Sequence, residues 1–310
     1  VIRLGTRRSA LALAQASLVA AGLRARGRQV EVVPMRTEGD RLASTALALV
    51  GGKGLFVREI EEALLTGAID AAVHSLKDLP AELPAGLCLA AFPPREDPRD
   101  VFLTRTGGSL RDLAAGAVVG TSSPRRRALV LATRPDVVVE PLRGNVDTRL
   151  RKLEAGTCDA IILAAAGLHR LGLQPAHAEV LLPDEFIPAV GQGIIAVEAR
   201  ADDEETRAAL ALLDEAETRA CADAERAFLA RLGASCTSPL AAHATLSRGG
   251  SSTLRLTALI ASEDGRDVMR AQAEGPRERA GALGRALADS MLARGAAAVS
   301  ALRPVRGGAA

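Results

Sequence analysis

Through the first half of the chain, short runs of valine, isoleucine and leucine alternate with longer segments whose apolar residues recur every three or four positions. Strand-length runs interleaved with helix-length periodicity predict crossover units and a mainly parallel sheet. The expected strands are Ile2 to Gly5, Val30 to Met35, Asp70 to His74, Leu87 to Phe92, Val118 to Gly120, Val137 to Pro141 and Ala160 to Ala164. Helices are expected near Ser9 to Arg26, Leu55 to Thr66, Pro124 to Thr133 and Val146 to Ala155. Around Phe92 to Pro98 the periodicity lapses into prolines and charges, as at an interdomain crossing. The run Ile194 to Glu198 reads as a strand returning to the first sheet. From Ala216 onward a helix, three alternating strands (Ala242 to Leu246, Thr253 to Ala261, Val268 to Ala273) and a last helix, Arg277 to Arg294, predict a small α+β domain with an antiparallel sheet. The expected fold is therefore α/β in three domains: 1–93 with 194–211, 99–187, and 216–310. The tail Arg303 to Ala310 is expected to fray.

Composition narrows what such a chain does. Apolar residues make up 48% of 310 residues, yet Tyr and Trp are absent and Phe occurs five times. The cores must be built from aliphatic side chains, and no aromatic platform for stacking bases is available. With 39 basic against 37 acidic residues the net charge is only +2, which argues against a nucleic-acid surface. Only Lys53, Lys77 and Lys152 are lysines; codon bias and retained chemistry account for them equally well. Cys88, Cys158, Cys221 and Cys236 stand far apart without metal-ligand spacing, so reduced thiols, no metal and a cytoplasmic setting are expected. Thr6-Arg7-Arg8-Ser9 superficially resembles a twin-arginine signal, but the preceding residues read as a strand and Gln15 and Ser17 interrupt the apolar run that follows. No apolar stretch reaches the ~20 residues of a membrane span.

Three turns share a plan. Gly5-Thr6-Arg7-Arg8-Ser9, Gly120-Thr121-Ser122-Ser123-Pro124-Arg125-Arg126 and Leu142-Arg143-Gly144-Asn145-Val146-Asp147-Thr148-Arg149 each follow a strand and open a helix with hydroxyl or guanidinium groups. Free amides and the positive end of the helix dipole attract anions there, and strand carboxyl ends are where open α/β sheets bind ligands. The competing reading is ordinary N-capping with solvated arginines. The repetition over three turns favours anion binding.

Ser75-Leu76-Lys77-Asp78-Leu79-Pro80 places a hydroxyl, an ammonium and a carboxylate in a loop at a strand end, where catalytic groups collect. Capping by Asp78 and a solvated Lys77 explain the same residues equally well. Gly51-Gly52-Lys53-Gly54 lacks phosphate-loop spacing and reads as a glycine loop with Lys53 and Phe56 as lid residues. Gly191-Gln192-Gly193 precedes a strand, not a helix, so a dinucleotide fingerprint is not indicated. Cys236 lies in a loop of small residues. It reads either as an inert thiol or as one accessible for covalent attachment.

Together these segments resemble the porphobilinogen deaminase family over nearly the whole chain. The resemblance is carried by Gly5 to Ser9 through Gln15, Val50 to Val57, Ala72 to Pro80, Arg95 to Asp100, Gly120 to Arg126, Leu142 to Arg149 and Pro188 to Gly193. Its most specific piece is Glu225-Arg226 with Phe228 and Leu232, leading to Cys236 and Pro239, although Ala234 and Ser238 depart from the family pattern. The resemblance implies two periplasmic-binding-protein-like α/β domains flanking a cleft and a third domain carrying the cofactor cysteine. It also implies a dipyrromethane cofactor joined by a thioether to Cys236, porphobilinogen as substrate, a linear tetrapyrrole as product and a monomeric state. By the same resemblance Asp78 is catalytic. Ser75, Lys77, Thr121, Ser123, Arg125, Arg126, Arg143 and Gly144 hold the cofactor, and Arg7, Ser9, Gln15, Arg149, Arg170 and Gln192 hold the substrate.

A two-lobed binding protein for an organic acid is the rival from another class, and a phosphate-ester transferase the third. Only the enzyme requires a covalent primer on Cys236. Each porphobilinogen unit brings an acetate and a propionate, and arginine meets a carboxylate through two parallel hydrogen bonds that lysine lacks. Arg143→Lys is accordingly expected to slow chain elongation although charge is kept; elongation at the parental rate in a single-turnover assay would remove Arg143 from the site.

Overall fold

The computed structural model describes residues 1–36, 57–234, 238–247, 252–300 and 302. In chain order its elements begin β1 (Ile2–Arg7), α1 (Ala10–Arg24), β2 (Val30–Met35), α2 (Arg58–Leu65), β3 (Ala71–Ser75) and β4 (Leu87–Ala91). They continue with β5 (Asp100–Thr104), β6 (Val118–Gly120), α3 (Pro124–Thr133), β7 (Val138–Glu140), α4 (Val146–Glu154), β8 (Ala160–Ala164), α5 (Ala165–Arg170) and β9 (Ala178–Val180). The last are β10 (Ile195–Arg200), α6 (Glu204–Ala211), α7 (Ala216–Arg231), β11 (Leu240–Leu246), β12 (Thr253–Ala261), β13 (Val268–Pro276), α8 (Ala280–Ala293) and α9 (Ala296–Val299). Two compact units result, 1–96 with 193–219, and 97–192 with 220–310; the last of the three divisions falls inside α7.

The first unit is built on a sheet of order β2-β1-β3-β10-β4. β1 runs parallel to β2 and β3, whereas β10 runs antiparallel to β3 and β4, so the sheet is mixed. Its two-residue period sends Ala71 and Val73 to one face and Ala72 to the other. On the first face they join Leu4, Ile195 and Val197 beneath Ala16, Val19, Ala20 and Leu23 of α1. On the second, Ala72 packs with Ile69 and Leu87 under Ile60, Ala63 and Leu64 of α2. Runs apolar on both faces are what a sheet covered by helices on both sides requires.

The second unit holds a sheet of order β7-β6-β8-β5-β9. β6 is parallel to β7 and β8, and β5 is antiparallel to β8 and β9. Phe102, Val119, Val139 and Ile162 on one face pack against Ala128, Leu129 and Val130 of α3 and against Ala241, Leu259 and Ala261. Those last three residues belong to the antiparallel sheet β11-β12-β13, so the small C-terminal sheet shares a core with the five-stranded one. On the opposite face Val101, Leu103, Ile161 and Leu163 meet Leu153 and Leu168.

β5 and β9 are antiparallel insertions that the periodicity of the sequence does not announce. All five residues of β5 are buried, Asp100 included, directly after the proline-rich crossing. The crossing itself is tight: Glu96 N donates to Gly193 O at 3.1 Å, and Gly193, at φ +86°, has no room for a Cβ against the Glu96 carbonyl oxygen.

α8 lies against α7 so closely that a Cβ on Gly284 would overlap the Ala224 carbonyl oxygen. Gly284→Ala would gain up to about 1 kcal/mol of helix propensity. Forcing two backbones apart in a packed core costs about 1–3 kcal/mol. The clash prevails, because backbone yields less readily than side chain. A lowered thermal-denaturation midpoint is the expected result, and an unchanged or raised midpoint would contradict this packing.

Candidate active site

In the first unit the candidate residues gather at the carboxyl ends of β1 and β3. Beyond Ser75 the chain makes a short 3-10 turn, Leu76–Asp78, fixed by Leu76 N donating to Ile194 O at 3.0 Å and by Leu79 N donating to Leu76 O at 3.1 Å. Leu76 and Leu79 are buried, Lys77 is half-buried and Asp78 is exposed. Two leucine anchors thus hold a carboxylate outward at the end of the central strand. Gln15 on α1 is buried and donates through Nε2 to Ser75 Oγ at 2.8 Å, while Ser75 Oγ lies 3.2 Å from Gln15 Oε1. This polar clasp ties α1 to the strand end. Ser9 caps α1, its Oγ accepting from Ala12 N at 3.3 Å, and Arg7 ends β1.

Beneath that turn lies a feature the sequence does not reveal. His74 Nε2 stands 3.1 Å from Glu198 Oε2, both side chains nearly devoid of solvent. Glu61 of α2 faces the same interior, and burial, reinforced by the Glu198 charge, raises its pKa while His74 opposes the shift. The two groups face each other from the neighbouring strands β3 and β10 at close range without forming a hydrogen bond.

In the second unit, Ser123 caps α3 through Oγ, which accepts from Arg126 N at 3.4 Å, and Thr121 Oγ1 accepts from Ser123 N at 3.2 Å. N-capping therefore accounts for Ser9 and Ser123, as the blander reading of these turns anticipates. Arg149 Nε donates to Gly144 O at 2.7 Å and Lys152 Nζ to Arg143 O at 3.1 Å, so α4 steadies the third turn from its own side chains. Arg170 is half-buried in the last turn of α5.

Arg125 and Arg126 do not simply project into solvent. Both are buried around Asp100, whose side chain has no exposed surface. Arg126 donates to Asp100 Oδ1 from Nη2 at 2.7 Å and Nε at 3.2 Å, and to Ile162 O from Nη1 at 2.8 Å. Arg125 Nη2 lies 2.7 Å from Asp100 Oδ2, close in distance though poorly aligned, while its Nη1 donates to Ile187 O at 2.7 Å. Gln192 is buried as well, Nε2 donating to Pro98 O at 2.6 Å and Asp100 Oδ1 at 3.0 Å. Burial alone would raise the Asp100 pKa, but the two guanidinium groups and the bonds from Arg126 and Gln192 together bring it down to about 2. Burial in turn lowers the Arg125 pKa.

The same turn is gripped from another side. Glu225 on α7 accepts from Gly191 N at 2.6 Å and from Ala244 N at 2.8 Å. Asp100, Glu225 and the His74–Glu198 pair are organising groups to which sequence reasoning assigned no role. Asp100 and Glu225 fall inside the segments of family resemblance, and that is the only signal that points to them. Lys53, Phe56 and Cys236 lie outside the described residues.

Residues 2–208 match the family described as "Porphobilinogen deaminase, dipyromethane cofactor binding domain", and residues 219–293 match "Porphobilinogen deaminase, C-terminal domain". The chain belongs to the porphobilinogen deaminase family. A protein of Syntrophobacter fumaroxidans named porphobilinogen deaminase is 49% identical over 298 residues, 96% of each chain. One from Desulforudis audaxviator with the same name is 50% identical over 307 residues, 98% of each chain. Among solved structures, a methionine-bound nutrient binding protein of Burkholderia cenocepacia is similar at TM-score 0.44 and 14% identity, covering 69% of this chain and 91% of its own.

The family's dipyrromethane is a pair of acid-bearing pyrroles, and the residues present suit it. Arg125 Nε is a buried donor without an acceptor, and around Asp100 two guanidinium charges face one carboxylate. The donor set is thus one anion short of balance. No group of His, Cys, Asp and Glu fit to hold a metal occurs among the described residues, and among them no helix is long and apolar enough to cross a membrane.

Asp100 makes stability depend on acid. Its pKa is lower folded, about 2, than the ordinary 3.8, so its contribution is complete above pH 4 and is lost as pH falls toward 2. The difference amounts to about 2 kcal/mol. Between pH 4 and 2 the unfolding free energy of the parent is expected to fall by about that much more than that of Asp100→Asn; parallel curves would show that the pairing carries no net stability.

Proposed function

We propose that this chain joins four porphobilinogen molecules head to tail, releasing ammonia, into the linear tetrapyrrole hydroxymethylbilane. It does so as a cytoplasmic monomer with a dipyrromethane bound through Cys236. The observation that carries the reading is Asp78, an exposed carboxylate on a turn pinned by two buried leucines at the end of a central strand. A group so fixed stabilises charge without reorganising when the charge appears.

In this reading Asp78 accepts from the pyrrole N–H of the incoming substrate. The aminomethyl group reacts as its ammonium form, so when the C–N bond breaks the electron pair goes to nitrogen, which leaves as ammonia. Positive charge spreads over the remaining methylene and its pyrrole ring, and the Asp78 carboxylate holds it. The free pyrrole carbon at the end of the growing chain then attacks the methylene, closes the new C–C bond and gives up its proton. When bound, the dipyrromethane supplies the first such pyrrole carbon. Hydrolysis after four additions frees the product.

Ser75, Lys77, Thr121, Ser123, Arg125, Arg126, Arg143 and Gly144 are assigned to the cofactor, and Arg7, Ser9, Gln15, Arg149, Arg170 and Gln192 to the substrate. The Gln15–Ser75 clasp and the anion deficit beside Asp100 support these assignments. Lys53 and Phe56 are assigned to the lid. The absence of a disulfide at Cys88, Cys158 and Cys221 favours a reducing compartment. The three sheets support dividing the chain into domains 1–93 with 194–211, 99–187 and 216–310.

Intact-mass measurement on the purified chain tests the reading. Two pyrrole units of extra mass are expected, absent from Cys236→Ser, with Asp78→Asn keeping the mass but losing about 10²–10³ in kcat. A bare parental chain from cofactor-replete cells would favour a binding protein for small acids instead.

A further inference from the structure

We propose that Asp100 is a positioning residue for this reaction, acting through Arg125 and Arg126 on the carboxylates of the oligopyrrole. The inference rests on the function proposed above and adds to it a group that touches neither cofactor nor substrate.

Three observations lead there. First, both arginines stand in the opening turn of α3, where the helix dipole is positive and cations are ordinarily disfavoured. Their side chains are nonetheless 4% and 7% exposed. Second, a single carboxylate faces the two of them, so a desolvated positive charge remains, and burying such a charge uncompensated is costly. Third, the excess has a location: Arg125 Nε is buried and finds no acceptor, whereas each Arg126 nitrogen donates to Asp100 or to the Ile162 carbonyl oxygen. A structure that holds two guanidinium groups where they repel each other, satisfies every nitrogen of one and leaves Nε of the other without an acceptor is set for one more anion. Carboxylates are what the proposed ligand carries.

Asp100 accounts for how that readiness is maintained. Its Oδ1 receives Arg126 and Gln192, and its Oδ2 faces Arg125, so one side chain from β5 orients residues from α3 and from the 188–193 turn. Without it the two guanidinium groups would separate toward solvent. Each carboxylate arriving in the site would then have to draw them back, a cost that appears in binding.

Asp100→Asn keeps the shape and removes the charge. In cells replete with cofactor, the fraction of chain carrying the two-pyrrole mass is expected to fall below half. In the loaded fraction KM is expected to rise about tenfold while kcat stays within about threefold. Asp100→Glu, which restores the charge, is expected to recover occupancy in part. A merely structural Asp100 would lower the melting temperature and leave occupancy and KM at parental values; that outcome overturns the proposal. Should Asp100→Asn fail to fold, Asp100→Glu serves, since it keeps the charge but displaces the oxygens that receive Arg126 and face Arg125. A KM raised severalfold at parental kcat is expected there, and a parental KM overturns the proposal. A parental chain without the extra mass refutes the function proposed above; a loaded parent with an indifferent Asp100→Asn refutes only this inference.

Discussion

A carboxylate with no exposed surface, faced by two guanidinium groups, is the interaction on which the second unit depends. Taking one carboxylate and two arginines out of water costs several kcal/mol for each ion, and only close, well-directed pairing repays it. Asp100 achieves this by drawing in donors from α3 and the 188–193 turn, while Arg126 donates in turn to a backbone carbonyl oxygen of β8. The arrangement explains why an acidic residue opens a wholly buried strand. It also explains why α3 tolerates paired arginines at its positive end.

The first unit meets a different requirement with comparable means. Its candidate carboxylate, Asp78, must be exposed yet immobile. Hydrophobic anchoring of Leu76 and Leu79 fixes the turn, and the strand behind it is braced from both faces. Gln15 and Ser75 clasp it to α1, and antiparallel pairing joins it to β10. Rigid elements below and a free polar group above are the usual way a fold presents chemistry at a strand end. Glu225 performs the corresponding service for the 188–193 turn, its carboxylate accepting from the backbone amides of Gly191 in that turn and Ala244 in β11.

Local sequence determined much of this. Val30–Met35, Val118–Gly120, Ala160–Ala164, Thr253–Ala261 and α3 fall where their periodicity placed them, because the faces they bury are encoded residue by residue. The antiparallel C-terminal sheet was legible for the same reason. Motif order along the chain also sufficed for the family, since Gly5 to Ser9, Ala72 to Pro80 and Gly120 to Arg126 each keep a strand end and its polar residues together in sequence.

Tertiary structure alone decided the rest. β5 was hidden because prolines and charges precede it and its own first residue is acidic, so no local pattern marks a buried antiparallel strand there. Arg125 and Arg126 read as anion-binding cations, but nothing in the local sequence says that Asp100, 25 and 26 positions away, lies buried against them or that Gln192, 92 positions from it, bonds to that carboxylate. His74 met Glu198 only through pairing of β3 with β10. Periodicity records which face of an element avoids water, but a charge pair depends on the distance between elements, and only the folded chain sets that distance.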